Sequence, residues 1–311
     1  MTEPLLALGA MFFGTKLDDA ASFALLDAYV DAGGVWIDTA DCYAFWVAPE
    51  GHGGQSEQVI GRWLAARPGV RDRVKLSTKV GAEPVTPGDF TVQRGLSDAV
   101  VRAGLTGSLR RLGADRVELF WAHVEDPRTP LEETAAALGD LVDSGAAGAW
   151  AVSNHPAWKV ERMRFANAVA GRPGPVALQH RFSYLTPRPD HPVEGAANRF
   201  GMATPEMLDY CAEEGLELWA YTALLTGSYE RADRPFAEEY RHPGSDARLA
   251  ALDAVAAEVG ATRSQAVLAW LVAHGIRPIL GGSTVEQLHD ALAGVRLALS
   301  DDQLDRLDAA G

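Results

Sequence analysis

Two cysteines in 311 residues, Cys42 and Cys211, are too few for a disulfide framework, and they show no metal-ligand spacing. Long apolar runs are also missing. No window approaches the roughly 18 uninterrupted apolar residues that a membrane-spanning helix needs. Positive charge is scarce, with 28 Lys and Arg against 42 Asp and Glu and a net charge of -14. That balance argues against nucleic acid or an anionic membrane as the main partner. The opening Met1-Thr2-Glu3-Pro4-Leu5-Leu6 has no basic segment and too short an apolar stretch for a signal peptide, so the expected compartment is a reducing cytoplasm. There is no GxxxxGK[ST] phosphate loop. The nearest approach to GxGxxG, Gly51-His52-Gly53-Gly54-Gln55-Ser56, follows a loop rather than a strand and is discounted as a dinucleotide turn.

What is present is alternation. Short apolar runs at 5–12, 35–38, 74–79, 117–121, 149–153, 176–179, 216–221 and 278–281 read as strands. Helical patterns at 20–32, 55–67, 94–112, 131–145, 156–170, 204–214, 264–273 and 285–292 separate or follow them, and Ser300-Asp301-Asp302-Gln303 caps a last helix. Strict alternation implies parallel strands joined by crossover helices, hence an α/β chain. Eight units in this length fit a closed (β/α)8 TIM barrel, one domain over residues 1–311. The loosest stretches, 44–54, 84–90, 186–201 and 228–245, all follow strand candidates and would overhang one face.

Four polar residues lie at or just past successive strand ends: Asp38, Tyr43, Lys79 and His123. Taken singly, each has a plain structural reading: a cap, a rim aromatic, a solvated charge, a hydrogen-bonded histidine. Their joint placement at the catalytic end of a parallel barrel points to one converging site. A phenol with an ordinary pKa of about 10 is a poor acid near neutrality, and a nearby ammonium stabilises its anion. A carboxylate keeps that ammonium charged, and a neutral imidazole can donate to a carbonyl oxygen. Such a set suits delivery of a proton to oxygen as a hydride reaches carbon. A phosphate candidate follows the last strand, in Ile279-Leu280-Gly281-Gly282-Ser283-Thr284, where Thr284 and Gln287 make a T-x-x-Q capping pattern. The same residues are equally well read as a glycine-rich turn before a capped helix.

With these residues assembled, the chain resembles an aldo-keto reductase from about residue 8 to 292. Asp38-Thr39-Ala40 with Tyr43, Thr78-Lys79, His123 followed by Asp126, Ser153-Asn154, Gln179 and Tyr221 match the family's motifs in order. The resemblance implies an NADP(H)-dependent enzyme, with NAD(H) as the other nucleotide, that needs no metal and interconverts an aldehyde or ketone with its alcohol. It makes Tyr43 the general acid, tuned by Lys79 and Asp38, with His123 orienting the carbonyl. It assigns Met11, Asp38, Ser153, Asn154, Gln179, Tyr221, Thr222, Gly281, Gly282, Ser283, Thr284 and Gln287 to the cofactor. Phe13, Phe45 and Trp46, with Phe12 beside them, would either wall a substrate pocket or pack against the barrel rim. Two departures stand out: 281–284 lacks the Lys or Arg that clamps a 2′-phosphate in many members, and Ala291 replaces an asparagine that reaches adenine.

Two other readings have a physical basis. The family also includes nucleotide-sensing regulatory subunits associated with channels. An unrelated barrel lyase or isomerase could use Lys79 as a Schiff-base amine.

Overall fold

Eight short strands hydrogen-bond in chain order and close on themselves, β1 back to β8, in a computed structural model that describes residues 5–48, 50–197 and 200–311. They are β1 (Ala7–Gly9), β2 (Trp36–Asp38), β3 (Lys75–Val80), β4 (Val117–Ala122), β5 (Ala147–Ser153), β6 (Ala177–Arg181), β7 (Glu217–Tyr221) and β8 (Arg277–Leu280). Every pairing is parallel. The expected α/β class and closed barrel are therefore found. Pro49, in the expected loop 44–54, and residues 198–199, in the expected loop 186–201, lie outside the described residues.

The helices around the barrel are α1 (Asp19–Asp31), α2 (Gln55–Ala66), α3 (Asp98–Leu112), α4 (Leu131–Asp143), α5 (Ala157–Val169), α6 (Pro205–Glu214), α7 (Pro243–Val259), α8 (Arg263–Ala273), α9 (Val285–Arg296) and α10 (Asp301–Asp308). Local signals explain several of their starts. Asp18 caps α1 by accepting from the Ala21 N–H at 2.8 Å, and Ser300 with Gln303 forms the expected capping box of α10. One helix was not anticipated: α7 lies where the pattern gave a loop and then nothing. It is rich in alanine around its whole circumference and buries little beyond Ser245, Leu252, Val255 and Ala256, so it shows no apolar stripe.

Side chains of a strand alternate between faces, and here the alternation places the site. Residues facing the helices, such as Leu76, Val80, Phe120 and Ala122, join the main core. Those facing the barrel axis form a second cluster that includes Leu119, Trp121, Ala151 and Trp219. Trp36 and Trp121 each meet Trp219 edge-on, at 5.1 and 5.3 Å between ring centres. This tryptophan floor fills the barrel interior. Two residues further along each strand, the axis-facing positions become Asp38, Lys79, Ser153 and Tyr221, and Gln179 follows Ala177 in the same way.

Candidate active site

Lys79 is fully buried and gives its ammonium three acceptors: Asp38 Oδ2 at 2.5 Å, the Thr39 carbonyl at 2.8 Å and the Tyr43 hydroxyl oxygen at 2.6 Å. Asp38 is held from its other oxygen by the Ser77 hydroxyl at 2.8 Å, and Ser77 accepts in turn from the Trp121 indole N–H at 2.6 Å. The tryptophan floor is thus hydrogen-bonded to the carboxylate above it. The ring of His123 stands edge-on to that of Tyr43, with centres 5.8 Å apart. All four residues expected to converge do so.

Strand ends are pinned from behind by buried polar bonds. The Thr39 and Ser56 hydroxyls lie 2.7 Å apart, and Ser56 donates to the Ala10 carbonyl at 2.7 Å. The Thr78 hydroxyl donates to Glu57, which also takes the Arg111 guanidinium, each at 2.5 Å. These contacts tie β1, β2 and β3 to α2 and α3, so the site rests on rigid elements. The glycine stretch discounted as a dinucleotide turn has a packing role. Gly53 adopts φ +96°, and a Cβ there would meet the Cys42 backbone at 2.5 Å, so only glycine lets this loop fold against the Tyr43 turn.

Burial dominates the proton affinities. It pushes the Tyr43 phenol well above its ordinary range, with the Asp38 charge acting the same way. The expected lowering by Lys79 is therefore outweighed: desolvation and Asp38 together disfavour phenolate, and the phenol keeps its proton at neutrality. Burial also lowers Lys79, while Asp38 opposes that and favours the ammonium. For His123, burial and then the Lys79 charge lower the pKa to about 3, which leaves the ring neutral.

Beside this group lies a second hydrogen-bonded set. The Tyr221 hydroxyl donates to Asn154 Oδ1 at 2.8 Å, and Asn154 Nδ2 donates to the His123 carbonyl at 3.1 Å and to Ser153 Oγ at 3.0 Å. Ser153 donates to the Gln179 carbonyl at 3.0 Å, and the Gln179 amide reaches Asp38 Oδ1 at 3.4 Å. Asn154 and Thr222 hold left-handed backbone at φ +62° and +56°, a cost of about 1–3 kcal/mol each for residues with a Cβ. The buried amide and hydroxyl groups, beside the Tyr221 ring, form the polar and aromatic lining that fits a planar carboxamide-bearing ring.

At the mouth, Phe45 is buried and Trp46 exposed, their rings 5.3 Å apart. Phe90, from the loop expected at 84–90, completes the group at 4.7 Å from Phe45 and 5.9 Å from Trp46, and it was missed as a wall residue. Exposed Val47, Val85 and Val92 continue the apolar rim. Phe13 behaves differently. It is 1% exposed within the main core, so it packs the barrel and does not present a pocket wall. Met11, by contrast, is exposed after β1.

The phosphate candidate differs in detail from expectation. Thr284 caps α9 through the Gln287 N–H at 3.3 Å, but the Gln287 side chain accepts from the Ser283 N–H at 2.9 Å. Ser283 and Gln287 thus satisfy one another, and Glu286 adds an anionic group in the first helical turn. No cation stands within 281–287. In the loop after β7, Leu225 and Thr226 share positive φ with Thr222 and Gly227. The Leu224-Leu225-Thr226-Gly227 string carries no motif that announces this, although the glycine was a turn signal.

The C-terminal face of this parallel barrel gathers a tyrosine, a paired lysine and aspartate, a neutral histidine and the side-chain amides of Asn154 and Gln179, and comparison with known proteins places the chain among oxidoreductases. The aldo/keto reductase family model matches residues 5–311, and the chain belongs to that family. It is similar to an uncharacterized oxidoreductase, YrpG, of Bacillus subtilis (strain 168), with 31% identity over 97% of this chain and 90% of that protein. It is 30% identical to the norsolorinic acid reductase stcV of Emericella nidulans, over 97% of this chain and 77% of that one. A probable voltage-gated potassium channel subunit beta of Oryza sativa subsp. japonica is also 30% identical, over 88% of this chain and 81% of its own length. Family and relatives support carbonyl reduction in general. Among the described residues no helix is long and apolar enough to cross a membrane.

Proposed function

We propose that the chain reduces an aldehyde or ketone to its alcohol with NADPH or NADH, Tyr43 serving as the general acid. The observation that carries this reading is the triple contact of Lys79 with Asp38, Tyr43 and the Thr39 carbonyl. Ser153, Asn154, Gln179 and Tyr221 are the residues that would hold the nicotinamide ring, with Met11 and Thr222 beside it and Gly281, Gly282, Ser283, Thr284 and Gln287 towards the phosphates. When bound, the reduced nicotinamide supplies the hydride.

The chain's own groups handle the proton. His123, neutral, donates an N–H to the carbonyl oxygen and polarises it. Tyr43 transfers its phenolic proton to that oxygen as the carbon is reduced, and the Lys79 ammonium, 2.6 Å away, stabilises the phenolate formed. Solvent then restores the phenol, and the reverse sequence oxidises an alcohol. A lysine whose three N–H bonds are all engaged is an electrostatic partner and not a Schiff-base nucleophile. Phe45, Trp46 and Phe90 favour an apolar, aromatic-bearing carbonyl compound.

The neutral 281–284 segment and the Glu286 carboxylate favour a weak preference between NADPH and NADH. Likeness to the channel subunit favours a second reading, a nucleotide-sensing protein with little turnover. Loss of the near-ultraviolet absorbance of reduced nicotinamide, followed with a panel of aryl and alkyl carbonyls, separates the two. Tyr43→Phe should abolish turnover while fluorescence titration shows cofactor binding retained. Undiminished turnover in that variant would overturn the mechanism, and none in the parent chain would favour sensing.

A further inference from the structure

The turn that carries Tyr43 also carries two buried side chains that take no direct part in proton donation, Asp41 and Cys42. An Asp41 carboxylate oxygen, Cys42 Sγ and a ring nitrogen of His123 all lie within 4.8 Å of one another. Cys42 Sγ stands 3.7 Å from His123 Nδ1, a hydrogen-bonding distance for sulfur. The Asp41 carboxylate stands beside the thiol in this group, and its Oδ1 has no partner among the described residues. Neutral imidazole has one N–H, and the contact made by one nitrogen decides whether the other carries it. With Nδ1 against the thiol, the nitrogen left for a carbonyl is Nε2.

We infer that Cys42 is a positioning residue whose S–H, donating to Nδ1, fixes His123 as the Nε2–H tautomer that can donate to the carbonyl oxygen, and that Asp41 decides where this S–H points. The inference rests on the role given to His123 above. With Asp41 protonated, Nδ1 is the better acceptor for the thiol. With Asp41 ionised, the carboxylate takes the S–H, because a charged acceptor forms the stronger bond. Sulfur then presents a lone pair to the ring, the imidazole proton settles on Nδ1, and bare Nε2 repels a carbonyl oxygen. Asp41 gives its proton to solvent, and the imidazole holds one proton throughout.

The surroundings of Asp41 place this switch near working pH. Glu57 on α2 and Glu83 after β3 disfavour its charge, whereas Arg111 on α3 favours it. Lys79 on β3 and Cys42 and His123 complete the groups around it. Burial is the largest influence, and the carboxyl is pushed up to about 8. The thiol is itself held well above its ordinary range by burial and by Asp41, so it remains a donor.

The test is nitrogen NMR of histidine-labelled free enzyme, in which long-range proton–nitrogen couplings report the tautomer of His123 between pH about 6 and about 10. The parent chain should change from Nε2–H to Nδ1–H with a midpoint near 8. Asp41→Asn should stay Nε2–H throughout, Cys42→Val should show no pH dependence, and Cys42→Ser should keep the switch. In turnover, kcat of the parent chain should fall about a hundredfold across the same range with KM for the cofactor unmoved, and the decline should be absent in Asp41→Asn. A His123 tautomer that ignores pH in the parent chain, or that still switches in Cys42→Val, would overturn the inference. The NMR readout needs no substrate, so it stands or falls separately from carbonyl reduction.

Discussion

Lys79 and Asp38 are both wholly buried, and each is the other's only countercharge within hydrogen-bonding distance among the described residues. Breaking such a pair from one side leaves an uncompensated buried ion, which costs about 3–5 kcal/mol. Lys79→Met should therefore lower stability by that amount in a denaturant titration. Asp38→Asn combined with Lys79→Met should recover most of it. Neither variant should regain turnover, because the Tyr43 phenolate loses its stabilising ammonium in both. A double variant no more stable than the single one would mean that the pair does not interact as placed. At 281–284 a charge is missing where one could act. Ser283→Arg supplies a cation where none stands, and one charged hydrogen bond is worth about 1.5–3 kcal/mol. The ratio of NADPH to NADH affinity should rise roughly ten- to a hundredfold by fluorescence titration, and an unchanged ratio would place the 2′-phosphate elsewhere.

Among elements, α2 and α3 are joined by close backbone approach. A Cβ at Gly61 of α2 would lie 2.3 Å from the Arg111 carbonyl oxygen of α3, and a carbonyl in a helix cannot swing aside. Gly61→Ala should push the two helices apart at a cost of about 1–3 kcal/mol, read as a lower Tm. Because Glu57 and Arg111 span the same interface and Glu57 anchors Thr78 beside Lys79, kcat should fall as well. Unaltered stability would mean that the helices relax freely. This level also shows what the sequence conveyed. Short, nearly continuous apolar runs marked all eight strands, since burial on both faces removes the polar alternation. The helix α7 left none, because alanines on every side give no stripe to read, and packing against α8 and α10 supplies its order. The left-handed residues Thr222, Leu225 and Thr226 were equally silent, since their conformation is imposed by the barrel end and not by their own preferences.

For the molecule as a whole, buried titratable groups set the response to acid and base. His123 and His180 are both lowered to about 3 by burial, the first aided by Lys79 and the second by His155. Below the ordinary value of 6.5 an unfolded chain binds protons at these positions that the native protein refuses. Their contribution is therefore complete above 6.5 and is lost as pH falls towards 3, up to about 5 kcal/mol for each. Asp41 has the opposite sign: raised from 3.8 to about 8, its contribution is complete below 3.8 and is lost as pH rises through 8. Tm should consequently peak near 6.5 and decline on both sides, and Asp41→Asn should flatten the alkaline decline. A Tm that climbs steadily from neutral to alkaline pH would contradict this assignment.

By itself the sequence determined the closed barrel and pointed to the polar residues that gather at its C-terminal end. Alternating apolar runs and helical patterns are local records of burial, and Asp38, Tyr43, Lys79, His123, Ser153, Asn154, Gln179 and Tyr221 are spaced by strands of known direction. Only the tertiary structure decided how these groups behave. Desolvation, which depends on everything packed around a side chain, kept the Tyr43 phenol protonated against the pull of Lys79. It also turned Phe13 into core, brought Phe90 to the mouth, and set Asp41 and Cys42 against His123. Each of these depends on residues far apart in the chain, where no local pattern could record them.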